Sequence, residues 1–178
     1  MMYTICLVIG FLMAFGIMVG VLWMIAADLS GAPYVPSDNK FLKIIMEAAE
    51  SEPGKIFLDI GSGDGRAVRM AASKYKLLAI GIEIQPFLVW FSRFYDRIQG
   101  ITNTEYLRIN VFSGRLPKCD YIFFYLFPGT VERLGQKILQ EAKPGTLVIS
   151  RGFEVKILKP KLDKKIEIGG RRAYFYRV

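Results

Sequence analysis

The chain opens on an unbroken apolar stretch and then changes character. No charged side chain occurs before Asp28. Residues 5–27, at about 1.5 Å per helical residue, reach about 35 Å, enough to cross a hydrocarbon core of about 30 Å. Gly10, Gly16 and Gly20 weaken a helix in water, but in lipid the backbone has no other hydrogen-bond partner, so helix is the state expected there. Trp23 sits where an interfacial anchor belongs. After a linker over residues 28–36, containing Gly and Pro, apolar positions recur with the periods of a folded domain over 37–178. Ser37 is the expected N-cap of a helix running to about Glu50, with Phe41, Leu42, Ile45, Met46 and Ala49 on one face. Glu52-Pro53-Gly54 breaks the chain, 55–60 reads as a short buried strand, and a helix follows over 66–74. Strands are then predicted over 77–83, 106–109, 121–127 and 146–150, with helices over 87–98, led in by Pro86, and over 131–142.

Strand and helix in alternation mean an α/β fold with a mostly parallel, Rossmann-like sheet. Two closing strands, 165–168 and 173–177, turn at Gly169-Gly170 and read as an antiparallel hairpin, which brings the sheet to seven strands. The chain is thus divided into an apolar helix over 5–27, a linker, and one α/β domain.

Composition changes this picture in three ways. All 24 Lys and Arg and all 16 Asp and Glu lie after the apolar run, so the net charge of +8 belongs to a domain of about 150 residues. Lys40 and Lys43 follow the span and no basic residue precedes it, which places the α/β domain on the cytoplasmic side of a single-pass membrane protein. A cleaved signal peptide instead needs a basic leading segment, a shorter apolar run and a small-x-small cleavage site, and Ala26-Ala27-Asp28 is a poor one. A helix packed within a soluble protein is the remaining alternative. Only two cysteines, Cys6 and Cys119, are present, so no disulfide framework is expected. With no histidine at all, Ser-His-Asp and Cys-His catalysis is excluded and a zinc site lacks its usual ligands, so no metal is expected.

The candidate chemistry lies at the end of the first strand, Phe57-Leu58-Asp59-Ile60-Gly61-Ser62-Gly63-Asp64-Gly65-Arg66. Glycines at alternate positions let backbone approach a ligand closely, and the turn aims a helix N-terminus at it. A dinucleotide fingerprint wants glycine where Arg66 stands, and a P-loop wants Gly-Lys-Ser or Gly-Lys-Thr, which is absent. Asp59 and Asp64 repel a pyrophosphate but attract a cationic amino-acid and sulfonium ligand, which points to S-adenosylmethionine. Ser62 lies within the same turn. Glu83 closes the second strand about 20 residues later, where a carboxylate accepts hydrogen bonds from ribose hydroxyls. Asn110, after the third strand, occupies a position that often supplies an adenine contact, and it suits a turn equally well.

These residues resemble a family, the seven-strand (class I) methyltransferases. Within it the chain is similar to the lysine methyltransferases acting on the ATP synthase c-subunit and the adenine nucleotide translocase, and to their prokaryotic relatives. The resemblance covers nearly the whole chain. It rests on the N-terminal hydrophobic segment, Pro33-Tyr34-Val35-Pro36-Ser37, the Asp59 to Arg66 motif, Gly81-Ile82-Glu83-Ile84-Gln85-Pro86-Phe87-Leu88-Val89 and Tyr125-Leu126-Phe127-Pro128. It implies that Asp59, Gly61, Gly63 and Gly65, with Ser62 and Asp64 between them, cradle the methionine part of S-adenosylmethionine, Glu83 the ribose and Asn110 the adenine. It also implies that Tyr34 and the segment Tyr125, Leu126, Phe127, Pro128 wall the methyl-transfer pocket. Gln85 departs from the Asn common among relatives, and Asn110 from a common Asp. The implied activity is methylation of a lysine in a membrane-embedded or membrane-adjacent protein.

Such chemistry needs no histidine. Positioning the nucleophile behind an activated methyl contributes about 7 to 11 kcal/mol of barrier reduction. A lysine of ordinary pKa, about 10.4, is neutral in only about one molecule in a thousand at pH 7, a penalty near 4.6 kcal/mol. A cationic sulfonium and an apolar aromatic wall both oppose the ammonium form, and solvent can take the proton. Tyr125 and Phe127 can hold a lysine chain by cation-π and apolar contact, or they can be ordinary core aromatics. Two other classes of function stay open. Arg171-Arg172 and Tyr174-Phe175-Tyr176 on a basic domain are compatible with RNA-base methylation, although basic residues also bind anionic lipid and aromatic alternation is what a strand needs. A non-catalytic membrane scaffold retaining the fold is the other, against which the intact glycine and acid motifs argue.

Overall fold

The computed structural model describes residues 2–29 and 38–178, with the side chains of 20–29 excepted. The chain divides into two units, the first ending at Val35 and the second beginning at Pro36. The first is a helix, α1 (Met2–Leu29), whose described side chains are all exposed. Its Met2–Val19 window has a mean hydropathy of 2.3, long and apolar enough to cross a membrane by length and composition. α1 runs two residues into the expected linker, as far as Leu29; the rest of that linker, the expected cap Ser37 and the side chain of the expected anchor Trp23 fall outside what the structure describes.

The second unit starts with α2 (Asn39–Ala48), capped by Asp38, whose carboxylate accepts a hydrogen bond from Lys40 N at 3.0 Å. Asp38, one residue beyond the expected cap, also pairs with Arg171 in the last strand and so ties the start of α2 to the sheet. The predicted face is correct: Phe41, Leu42, Ile45, Met46 and Ala49 are all buried. Burial of each large side chain stabilises by about 1.5–3 kcal/mol relative to exposure.

The sheet follows as β1 (Ile56–Ile60), α3 (Arg66–Tyr75), β2 (Leu78–Glu83), α4 (Pro86–Gln99), β3 (Thr104–Arg108), β4 (Tyr121–Phe124), α5 (Pro128–Glu141) and β5 (Leu147–Arg151). A 3-10 turn over Lys156–Lys161 leads into β6 (Leu162–Ile168) and β7 (Arg171–Arg177). The spatial order is β3-β2-β1-β4-β5-β7-β6. β1 to β5 pair in parallel, whereas β7 pairs antiparallel with both β5 and β6. Gly169 and Gly170, both at positive φ, make the hairpin turn as predicted. Alternation along β1 feeds two cores. Phe57 joins the layer with α2, α3 and Val89 of α4, while Leu58 and Ile60 join Val131, Leu134 and Ile138 of α5 on the other face.

Several predicted bounds move by two or three residues. The strand expected to reach Phe127 ends at Phe124, because Pro128 opens α5 and the chain must turn before it, and α5 accordingly begins three residues earlier than expected. β3 begins at Thr104 and ends before Ile109, which leads into the Asn110 turn. β6 starts at Leu162, hidden from pattern reading by its exposed polar residues and a register irregularity between Leu162 and Lys164.

Candidate active site

The chain runs outward from β1 through β2 to β3, then crosses back to β4 and β5, so the direction of winding reverses between β1 and β4. Ligands of open α/β sheets bind in the crevice outside the carboxyl ends of the strands at such a point. The turn after β1 and the segment after β4 flank it.

Gly61, Gly63 and Gly65 all adopt left-handed backbone, with φ of 77°, 55° and 79°. That conformation costs a residue with a Cβ about 1–2 kcal/mol. The turn is also closely covered. A Cβ on Gly61 would stand 2.8 Å from Leu126 Cδ2, and one on Gly65 would stand 2.5 Å from the Tyr106 hydroxyl. Gly61 N and Ser62 N both donate to Ile82 O, which fixes the turn to β2. The Ser62 hydroxyl is buried without a hydrogen-bond partner among the described residues and packs toward Gly81 of β2.

Glu83 is the clamp. Its Oε2 accepts from Gly63 N at 3.0 Å, and its Oε1 accepts from Ile84 N at 2.7 Å and Gln85 N at 2.9 Å. The end of β2, the middle of the glycine turn and the cap of α4 are thus joined through one buried carboxylate. Oε1 is filled by its two backbone donors, whereas Oε2, with one, keeps acceptor capacity for a ribose hydroxyl. Asp59, also buried, is held well above the usual carboxylate range, first by desolvation and then by the negative charges of Glu83 and Asp64. Asp64 differs from the expectation of an open negative charge. Arg66 Nε and its terminal nitrogen donate to both Asp64 oxygens at 2.7–3.2 Å, so the pair neutralises itself at the start of α3. With Asp64 paired to Arg66 and Asp59 resisting ionisation, the acidic character of the crevice rests chiefly on Glu83.

Beneath the turn lies a buried network that no sequence pattern announces. Asp96 of α4 accepts from Thr104 Oγ1 at 2.7 Å and from the Tyr106 hydroxyl at 2.9 Å, and pairs with Arg69 at 3.3 Å. Burial and the Asp96 charge push the Tyr106 phenol far up. Tyr106 is the floor against which Gly65 rests.

The opposite wall is Tyr125 to Pro128. Leu126 covers Gly61, Phe127 is exposed, and Pro128 occupies the first turn of α5. The Tyr125 ring is half-buried against Arg151, whose guanidinium carbon lies 4.3 Å from the ring centroid, and against Gly152. Arg151 is buried, and its Nη1 has no hydrogen-bond partner among the described residues. Burial lowers its pKa, opposed by Tyr125 and Asp38. A basic residue at a strand end is the only signal of it in the sequence. Tyr34 lies outside the described residues. Asn110 is exposed and closes a turn, its Oδ1 accepting from Phe112 N at 2.9 Å. A polar cavity of ≈ 310 Å³, lined by Glu50, Glu52, Lys55 and Asp120, lies at the opposite end of the strands and shares no residue with the crevice.

The sequence pattern of the ANTKMT methyltransferase domain matches residues 59–162, more than half of the chain and inclusive of the whole glycine turn. The chain belongs to this ANTKMT family. It is 30% identical over 146 residues to a protein-lysine N-methyltransferase of Saccharolobus islandicus, covering 81% of this chain and 91% of that protein. It is 32% identical to the ATP synthase c-subunit lysine N-methyltransferase of Xenopus laevis over 68% of this chain and 53% of that one. With the adenine nucleotide translocase lysine N-methyltransferase of Mus musculus it shares 29% identity over 72% of this chain and 56% of that one. The chain thus spans most of the Saccharolobus relative and little more than half of the other two. Among solved structures, an RNA methyltransferase of Salinibacter ruber in complex with S-adenosyl-L-homocysteine superposes with a TM-score of 0.76 at 26% identity, covering 81% of this chain and 94% of that one.

This ANTKMT-family protein is an S-adenosylmethionine-dependent methyltransferase. Its residues fit the cofactor: a turn of three left-handed glycines, two buried acidic side chains in Asp59 and Glu83, and in Glu83 a clamp residue with acceptor capacity left for ribose.

Proposed function

We propose that the protein methylates a lysine side chain of a membrane-embedded or membrane-adjacent protein, held at the membrane by α1 with its α/β domain on the cytoplasmic side. The observation that carries the acceptor class is the 30% identity to a protein-lysine N-methyltransferase over 91% of that relative's length. In this reading Glu83 receives the ribose hydroxyls, and the turn from Asp59 through Gly65 takes the methionine part. Asn110 and its turn border the adenine. When bound, S-adenosylmethionine supplies a methyl group already activated on a sulfonium.

The chain's own task is to align a neutral amine with that methyl. Tyr34, Tyr125, Phe127 and Pro128 form the acceptor wall in this proposal. Arg151 adds a cation behind Tyr125, which disfavours the ammonium form of an approaching lysine and favours the neutral nucleophile. The proton leaves to solvent, in keeping with a chain that has no histidine.

A second reading, methylation of an RNA base, is favoured by the likeness to the Salinibacter RNA methyltransferase. Incubating membranes and total RNA with methyl-labelled S-adenosylmethionine, with and without the purified protein, separates the two. Label on lysine in membrane protein, located by mass spectrometry, is the expected result. Label on nucleic acid with none on lysine overturns the proposal.

A further inference from the structure

α4 is apolar on two faces. Leu88 and Val89 pack inward together with Ser92 and Asp96. On the outer side Phe87, Trp90, Phe94 and Ile98 stand 54%, 56%, 49% and 63% exposed. The rings cover one another along the helix and stay open to solvent among the described residues: Phe87 and Trp90 lie 6.0 Å apart, and Trp90 stacks on Phe94 at 5.3 Å with planes 7° apart. A contiguous exposed patch of this kind marks an interaction surface. At 100° per residue, Arg93 and Arg97 fall on one flank of the stripe; both are exposed, although Arg93 Nη2 also donates to Tyr106 O of β3.

From this face we infer that α4 is a second membrane contact, laying its aromatic stripe into the headgroup region of an anionic bilayer. Three observations select lipid over another protein. Trp and Tyr rings beside arginines are the composition of a bilayer interface, and Tyr95 adjoins the stripe. The flanking arginines and the net charge of +8 complement an anionic surface and oppose docking of a second copy. The chain also carries an apolar helix long enough to cross a membrane. The inference rests on the reading that the protein works at a membrane and goes beyond it in orienting the domain. α4 is capped by Gln85, whose N–H is held by Glu83, so lipid contact along α4 brings the ribose end of the crevice to the bilayer surface. An acceptor lysine at headgroup level is then within the domain's reach.

The chain has two tryptophans, Trp23 and Trp90, so Trp23→Phe leaves Trp90 as the sole reporter. The full chain is reconstituted into phosphatidylcholine–phosphatidylserine vesicles whose acyl chains are brominated either near the headgroup or near the bilayer centre. Trp90 emission shifts to the blue and loses most of its intensity with the shallow bromines, and far less with the deep ones. Adding Phe87→Ser and Phe94→Ser returns Trp90 to aqueous emission while S-adenosylmethionine affinity stays unchanged, which shows that the domain remains folded. Emission that stays aqueous with both lipids overturns the inference. So does shielding of Trp90 in detergent that appears only with concentration-dependent dimerisation, which assigns the face to a second copy. Carbonate extraction separately reads whether the chain is integral to the membrane, so failure of the anchor and failure of the α4 contact are distinguishable.

Discussion

Replacing Gly61 with alanine separates the ligand-facing role of the glycine turn from its backbone geometry. Gly54 serves as the control. Its φ of 81° matches the 77° of Gly61, but nothing lies within 4 Å of a Cβ placed there. Both substitutions carry the left-handed penalty of about 1–2 kcal/mol. For a chain of this size each kcal/mol lowers Tm by about 2–4 °C, so both variants melt roughly 2–8 °C below the parent. Gly61→Ala does one thing more. Its Cβ meets Leu126 Cδ2 at 2.8 Å where ordinary contact begins at 3.4 Å. The clash is with the tip of a movable side chain, so stability changes little further, but Leu126 must retreat over the ligand crevice. Displacements of this size at a site that works by alignment are costly. Calorimetric titration with S-adenosylmethionine is expected to show affinity at least about tenfold weaker for Gly61→Ala, about 1.4 kcal/mol, and unchanged for Gly54→Ala. Equal affinity for the two variants would refute the claim that the cofactor lies against Gly61.

Asp59 has a folded pKa raised above its unfolded value of about 3.9, so the folded state holds its proton longer and stability falls as pH rises through the raised value. Urea unfolding across that range should show Asp59→Asn more stable than the parent at neutral pH and converging with it in acid; a variant less stable at neutral pH would contradict this. Tyr106→Phe removes a buried donor to Asp96 and should lower unfolding stability by about 1–3 kcal/mol. A loss within urea-titration error would mean that the Asp96 network does not support the turn. Arg151→Met removes a buried cation with an unpaired N–H, so Tm should hold or rise. If Arg151 disfavours the ammonium form of the acceptor by about one pKa unit, the variant's pH–rate profile moves up by about that unit and activity near pH 7 drops about tenfold. Reduced activity with an unmoved profile would reduce Arg151 to a packing role.

Much of the fold was legible because its signals are local. Alternation in Phe57, Leu58 and Ile60 marks a strand buried on both faces, and the i, i+3, i+4 spacing from Phe41 to Ala49 marks the buried face of α2. Glycines at 61, 63 and 65 announce the turn because only they adopt its backbone at no steric cost. The strand end at Phe124 was obscured by apolar Leu126 and Phe127, which continue the strand pattern while Leu126 covers the crevice. Side-chain pairing was less visible. The neutralisation of Asp64 by Arg66 depends on how the start of α3 folds back. Asp96 is a buried acid on a helix whose partners come from α3 and β3, and no sequence period encodes such a meeting. Arg151 gains its place only when β5 is set beside β4, with Ser150 opposite Phe124, and brings the guanidinium to Tyr125.

Everything in the proposed chemistry depends on a glycine turn, clamped by Glu83, being shaped for a cationic nucleoside. The decisive measurement is calorimetric titration of the full chain and its Glu83→Ala variant with S-adenosylmethionine and, separately, with NAD. The parent is expected to bind S-adenosylmethionine and not NAD. The variant, lacking the ribose acceptor and the clamp on Gly63, is expected to bind S-adenosylmethionine at least about tenfold more weakly. Binding of NAD by the parent, or undiminished S-adenosylmethionine affinity in the variant, would show that the turn is built for something else.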